Sequence, residues 1–161
     1  MGGSLREELG KRGDFESVEQ EAYLSVLRTA AMLSVDFRRL FRAHGLTEAS
    51  YNVLRIIRGS GKAGRAMGDI APDLVAPGPD VTRIVDRLET KGLVERWLDE
   101  DDQRVVRVGV TAVGARRLRT LDGPVLELHR RQLGDVPVAE LRRLCRLLER
   151  ARASGAAPRE T

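Results

Sequence analysis

Between Pro79 and Val110 the hydrophobic period changes from that of a helix to that of a strand, and this switch constrains the fold more than any other feature. Val81, Ile84, Val85 and Leu88 stand at i, i+3, i+4 and i+7, the stripe of one helix face. Proline at the first position, Pro79, and Gly92 just past Lys91 supply the start and stop signals. From Leu93 to Leu98 the chain reads as a short strand, Asp99 to Gln103 as a charged turn, and Arg104 to Val110 as an alternating strand. Arg104, Val106, Val108 and Val110 then share one face, with Val105 and Arg107 on the other. The pattern predicts a helix followed directly by a β-hairpin with a polar tip.

Other segments are helical in period. From Glu16 to Ala43, the residues Ala22, Val26, Ala30, Leu33, Phe37 and Leu40 alternate spacings of four and three, and Gly45 ends the pattern. Thr47 is placed as an N-cap, with Leu46 and Tyr51 in the positions of a hydrophobic staple. The helix it opens carries Val53, Leu54, Ile56 and Ile57 and stops at Gly59-Ser60-Gly61. A short helix over Ala66 to Leu74 would turn Met67, Ile70 and Leu74 inward, although Pro72 inside it removes a ladder bond and predicts shortening or bending. After the hairpin, Thr111 can cap a helix with a stripe of Leu118, Leu121, Val125 and Leu128, which Gly123-Pro124 should kink or restart. Gly134 to Pro137 is a turn. Leu141, Leu144, Cys145 and Leu148 mark one face of a last helix before an Ala/Gly/Pro tail, which should fray. The polar residues 1–14 read as a mobile arm, or as a short helix ordered only by a partner.

Helix, short helix, turn, helix and hairpin over residues 47–111 is the order of a winged helix-turn-helix. The expected fold class is therefore mainly α with a small β-hairpin wing, the winged unit lying between helices of residues 1–46 and 112–161. With only 4% aromatic residues the core must be aliphatic. A net charge of +4 and a pI near 9.8 favour a polyanionic partner. The basic residues are almost all arginine, which suits bidentate contacts to phosphate and guanine, although the codon bias of a GC-rich genome would enrich arginine equally.

Other classes are poorly served. His44, His129 and Cys145 are the only residues of their types and lie far apart, so neither a zinc site nor a nucleophile–base pair is legible, and no phosphate loop occurs. No metal or cofactor is expected. His44 reads as a helix-boundary residue. Cys145, on a leucine stripe, reads as a small buried hydrophobe, with a redox switch as the sharper alternative. Met1 to Gly10 has no apolar signal core and no stretch approaches a membrane span, so a cytoplasmic protein is the expectation.

The outward face of the helix from Pro79 carries Asp80, Thr82, Arg83, Asp86 and Arg87. Entering a major groove by its N-terminus, such a helix would offer Thr82 to a thymine methyl or a phosphate, Arg83 to guanine or the backbone, and Arg87 to phosphate. Pro79 keeps its start slim, leaving N–H groups free for a phosphate oxygen. An ordinary amphipathic surface helix would present the same face. At the hairpin tip, Gln103 and Arg104 point to a minor groove, and a carboxylate at Asp102 could hold the Arg104 guanidinium in a fixed pose. A solvated charged turn is the bland reading.

Leu46-Thr47, Tyr51-Asn52-Val53-Leu54-Arg55-Ile56, Asp69-Ile70-Ala71, Val81-Thr82-Arg83-Ile84-Val85-Asp86-Arg87-Leu88-Glu89, Gly92-Leu93-Val94-Glu95-Arg96, Asp102-Gln103-Arg104-Val105-Val106 and Val110-Thr111 occur in that order. Over roughly residues 20–150 the chain resembles the MarR family of bacterial transcription regulators. The resemblance implies a homodimer, held by the first helix and the last two, that reads a pseudo-palindromic site in double-stranded DNA. It also implies repression relieved by a small molecule, often an aromatic acid or phenol, with no membrane partner. Carried over, groove reading falls on Thr82, Arg83 and Arg87 and the wing on Asp102 and Arg104. No motif marks an effector pocket. Many relatives have two arginines at the wing tip where this chain has Gln103-Arg104. A winged-helix module that binds only protein is the competing reading, as is a Cys145-based redox regulator.

Overall fold

The computed structural model describes residues 3–156. The tail expected to fray beyond Ala156 lies outside them. The order is α1 (Leu5–Glu8), α2 (Val18–Ala43), α3 (Glu48–Gly59), a 3-10 turn at Gly61–Ala63, β1 (Arg65–Ala66), α4 (Met67–Ile70), α5 (Val81–Thr90), β2 (Val94–Leu98), β3 (Val106–Val110), α6 (Ala112–Leu133) and α7 (Val138–Ala156). The chain divides into two compact units, Met1–Pro124 and Val125–Thr161.

The first unit is mainly helical around a three-stranded antiparallel sheet in the order β1-β3-β2. The hairpin register pairs Val94 with Val110 and Leu98 with Val106. This alternation sends Val94 and Val108 into the core, where they meet Val53, Leu54, Ile57, Ile70, Val85, Leu88, Leu118 and Leu121, all essentially without solvent contact. Each such side chain contributes about 1.5–3 kcal/mol on burial, so the stripe of α5 is the main weld between helix and wing. Gly92 (φ +66°) makes the sharp exit from α5 that a Cβ would strain. Thr111 closes the other side of that junction: its hydroxyl donates to the Gly92 carbonyl at 2.7 Å and accepts the Gly114 N–H at 3.1 Å.

Several expectations are corrected. Residues 5–8 form a helix within the protomer, because Ser4 and Glu7 make a reciprocal capping box and Glu8 meets Arg28 at 3.5 Å. The strand Arg65–Ala66 was not legible; it is two residues long and pairs with β3. The short helix is Met67–Ile70 rather than Ala66 to Leu74, which is the shortening that Pro72 predicts. Pro79 is not the first residue of α5. The helix starts at Val81, and Asp80 is its N-cap, accepting the Arg83 N–H at 3.1 Å. Asp80 is thus committed to its own helix end. Pro124 does not restart α6, which runs through it to Leu133.

On α2 the one buried residue is Phe41, whose ring stacks on Tyr51 at 4.2 Å between centroids. The predicted stripe is half-open instead, with Val26 48% exposed. In the second unit Leu128 is buried, but among the described residues none of α7 is. Cys145 is exposed rather than a core hydrophobe. His44 is, as expected, a boundary residue, the C-cap of α2.

Candidate nucleic-acid interface

The exposed face of α5 and the tip of the β2–β3 hairpin are both part of the first unit. Val81, Ile84, Val85 and Leu88 point inward, so Thr82, Arg83, Asp86 and Arg87 are left exposed. The chain entering α5 is held by Asn52 of α3, whose side-chain oxygen accepts the Val75 N–H at 2.9 Å. Pro79 is half-buried in this entry.

The hairpin tip explains its own acidity. Asp99, only 8% exposed, accepts the N–H groups of Asp101 and Asp102 at 3.0 Å each, and its carboxylate takes the Arg107 Nε. The Arg107 guanidinium, followed by these backbone donors, holds the Asp99 carboxyl below the usual carboxylate range. Gln103 folds back, its Nε2 donating to the Asp99 carbonyl at 2.9 Å. Asp102 does serve the next arginine, but through the backbone: its Oδ1 accepts the Arg104 N–H at 3.0 Å, so it shapes the turn rather than gripping the guanidinium. The organising residues of the tip are therefore Asp99 and Arg107, which the sequence reading passed over. Their spacing of eight spans the turn, and only the strand register shows that they meet.

Below the tip, Trp97 lies so close that a Cβ on Gly64 or Gly109 would come within 2.6 or 2.7 Å of its ring. Gly64 also has φ +66°. These two positions let the indole brace the wing against the 3-10 turn, and Trp97 lines one depression with Lys62, Asp99 and Arg107.

The arginines of residues 47–111 fall into two groups. Arg55 and Arg58 meet Asp122 at 3.2 and 2.8 Å, Arg65 meets Asp73 at 2.6 Å, Arg96 meets Asp86 at 2.6 Å, and Arg107 holds Asp99. The Arg58 guanidinium keeps the Asp122 carboxyl low, while burial raises the Tyr51 phenol beside it. Arg83, Arg87 and Arg104 are exposed and make no ion pair among the described residues. Thr82 and Arg104 line one cleft between α4, α5 and the wing, of about 510 Å³. This arrangement offers two uncommitted cations on a helix, a third on a hairpin, and no nucleophile–base pair between them. Among the described residues no cluster of three or more His, Cys, Asp or Glu side chains is placed to hold a metal ion, and no helix is long and apolar enough to cross a membrane.

Comparison with known proteins gives the family. Residues 46–106 match the model of the MarR family. A MarR transcription factor from Planctomyces limnophilus, known from its crystal structure, is 39% identical, with 84% of this chain and 98% of that one covered and a TM-score of 0.64. The HTH-type transcriptional repressor IacR of Pseudomonas putida is 28% identical over 71% of this chain and 67% of its own length. The homoprotocatechuate degradative operon repressor of Escherichia coli is 28% identical over 74% and 79% respectively.

Proposed function

The chain belongs to the MarR family of transcription regulators, and from that premise we propose that it is a cytoplasmic repressor that binds a pseudo-palindromic DNA site as a homodimer. In each half-site α5 lies in the major groove, with Thr82 and Arg83 toward base edges and Arg87 toward phosphate. The wing places Arg104 at the adjacent minor groove, on a tip that Asp102 and Gln103 help to shape.

The observation that carries this reading is the sorting of the arginines. Every other guanidinium of the winged segment is consumed by a carboxylate of the protein, while the three on the outward helix face and the hairpin tip have none among the described residues. A side chain held by an internal carboxylate cannot also satisfy a phosphate at full strength, whereas a free one can. A module that bound only protein would have no need of such a division. Dimerisation is supported by the apolar residues that α2 and α7 leave uncovered, among them Val26, Leu27, Met32, Leu144 and Leu147.

The names of the two curated relatives support repression, and one of them supports an aromatic acid as effector. The test is a fluorescence-anisotropy titration of duplex DNA selected by the protein from a randomised library. Binding near the nanomolar range, falling steeply with salt and reversed by an aromatic acid such as homoprotocatechuate, is expected. Weak, sequence-indifferent binding would reject the regulator reading. Specific binding untouched by aromatic acids would reject only the effector.

A further inference from the structure

The helix assigned to the groove carries as much acid as base. With its caps it has Asp80, Asp86 and Glu89 against Arg83, Arg87 and Lys91. Carboxylates on an element that lies against a polyanion work against binding. Asp80 is turned onto its own helix end, where it accepts the Arg83 N–H. The other two acids remain, and both meet the same guanidinium from outside the helix. Arg96 of β2 reaches Asp86 with Nη2 at 2.6 Å and Glu89 with Nη1 at 3.2 Å. It is also the inner member of the trio: its side chain is 25% exposed, against 52% for Asp86 and 40% for Glu89. Arg96 is therefore less open to solvent than either carboxylate it pairs, and it lines the cleft shared with Thr82 and Arg104.

We propose that Arg96 is a positioning residue for DNA binding, which acts by neutralising Asp86 and Glu89 and drawing Asp86 away from the bases. The inference rests on α5 being the groove-reading element. Without Arg96, two bare carboxylates would stand on the DNA-facing helix within about a Debye length of phosphate, roughly 8 Å at physiological salt, where their repulsion is not screened. With it, Asp86 is spent on the protein and is not a reader of cytosine. One bifurcated guanidinium also links α5 to the wing strand, so that helix and hairpin approach DNA as one body.

The experiment compares the unsubstituted protein with Arg96→Gln, with the pair Asp86→Asn and Glu89→Gln, and with all three changes together. Each is titrated against the duplex that the unsubstituted protein selects and against a random-sequence duplex, and thermal unfolding is followed alongside. Failure of the unsubstituted protein to select any duplex overturns the groove-reading assignment, and this inference with it. Where selection succeeds, Arg96→Gln should weaken binding to both duplexes by about tenfold or more, and the triple variant should return to within about threefold of the unsubstituted protein. A triple variant as weak as Arg96→Gln means that Arg96 serves the fold or touches DNA itself, and overturns the proposal. The carboxylate pair variant retains Arg96 and keeps the test decisive if Arg96→Gln does not fold. Its ratio of selected to random binding should stay within about threefold of the original. A collapse of that ratio shows Asp86 reading a base and overturns the proposal equally.

Discussion

A single arginine on an exposed helix face can make one of two kinds of contact, and the two leave different traces in binding data. Arg83 is in the first turn of α5, exposed and without an ion pair among the described residues. Arg83→Ala should cost about 1–3 kcal/mol on the preferred site and relax preference at one base position, read from competition among single-base variants of that site. Arg104→Ala should weaken binding mainly at positions flanking the half-site core. If its partner is phosphate, the salt dependence should become shallower by about one unit of slope. Asp99 gives a third residue-scale prediction, this time in pH. Because its carboxyl is held low by Arg107 and backbone N–H groups, its contribution is complete above the ordinary carboxylate value and is lost as pH falls through the depressed one. Trp97 is the only tryptophan and shares a depression with Asp99, so its emission reports on the wing. That emission should be flat from roughly pH 5 to 8 and change only below about pH 4. In Asp99→Asn the emission should already be altered at pH 7.

At the scale of elements, the helix ends matter as much as the stripes. Asp80→Ala removes the N-cap of α5 and should cost about 1 kcal/mol, lowering the thermal midpoint by roughly 2–4 °C. Leu88→Ala, in the weld between α5 and the sheet, should cost about 2–5 kcal/mol by the same measurement. The stripe Val81, Ile84, Val85 and Leu88 could be read from spacing because each residue faces a single core, and the hairpin because its alternation is strict from Val106 to Val108. Gly45, Thr47, Gly92 and Thr111 were legible because caps and stops are local chemistry. The start of α5 was misplaced by two residues, since Pro79 and Asp80 both suit a helix beginning and only the Asp80–Arg83 hydrogen bond decides between them. Arg65–Ala66 is too short to show a period, and it exists because β3 offers it an edge. Asp99 and Arg107 were missed for a related reason. Their pairing follows from register, which no run of residues displays.

For the whole molecule, what the protomer leaves uncovered is as informative as what it buries. In the first unit, α2 exposes Tyr23 (64%), Met32 (56%), Leu27 (49%) and Val26 (48%). In the second unit, α7 has no buried residue among those described and exposes Val138, Leu144, Leu147 and Cys145. Scattered apolar residues are normal on a surface, but helices with almost no buried face are stable in water only when something covers them. A second copy is the partner that the proposal supplies. Val26→Glu should then shift sedimentation from dimer to monomer and reduce DNA binding together. The most direct test of the account is the sequence of duplexes that the protein enriches from a randomised pool. Two symmetric α5 helices predict an inverted repeat whose half-site centres lie about one helical turn apart, roughly 10 base pairs. Enrichment of a single unrepeated motif, or of none, would contradict it.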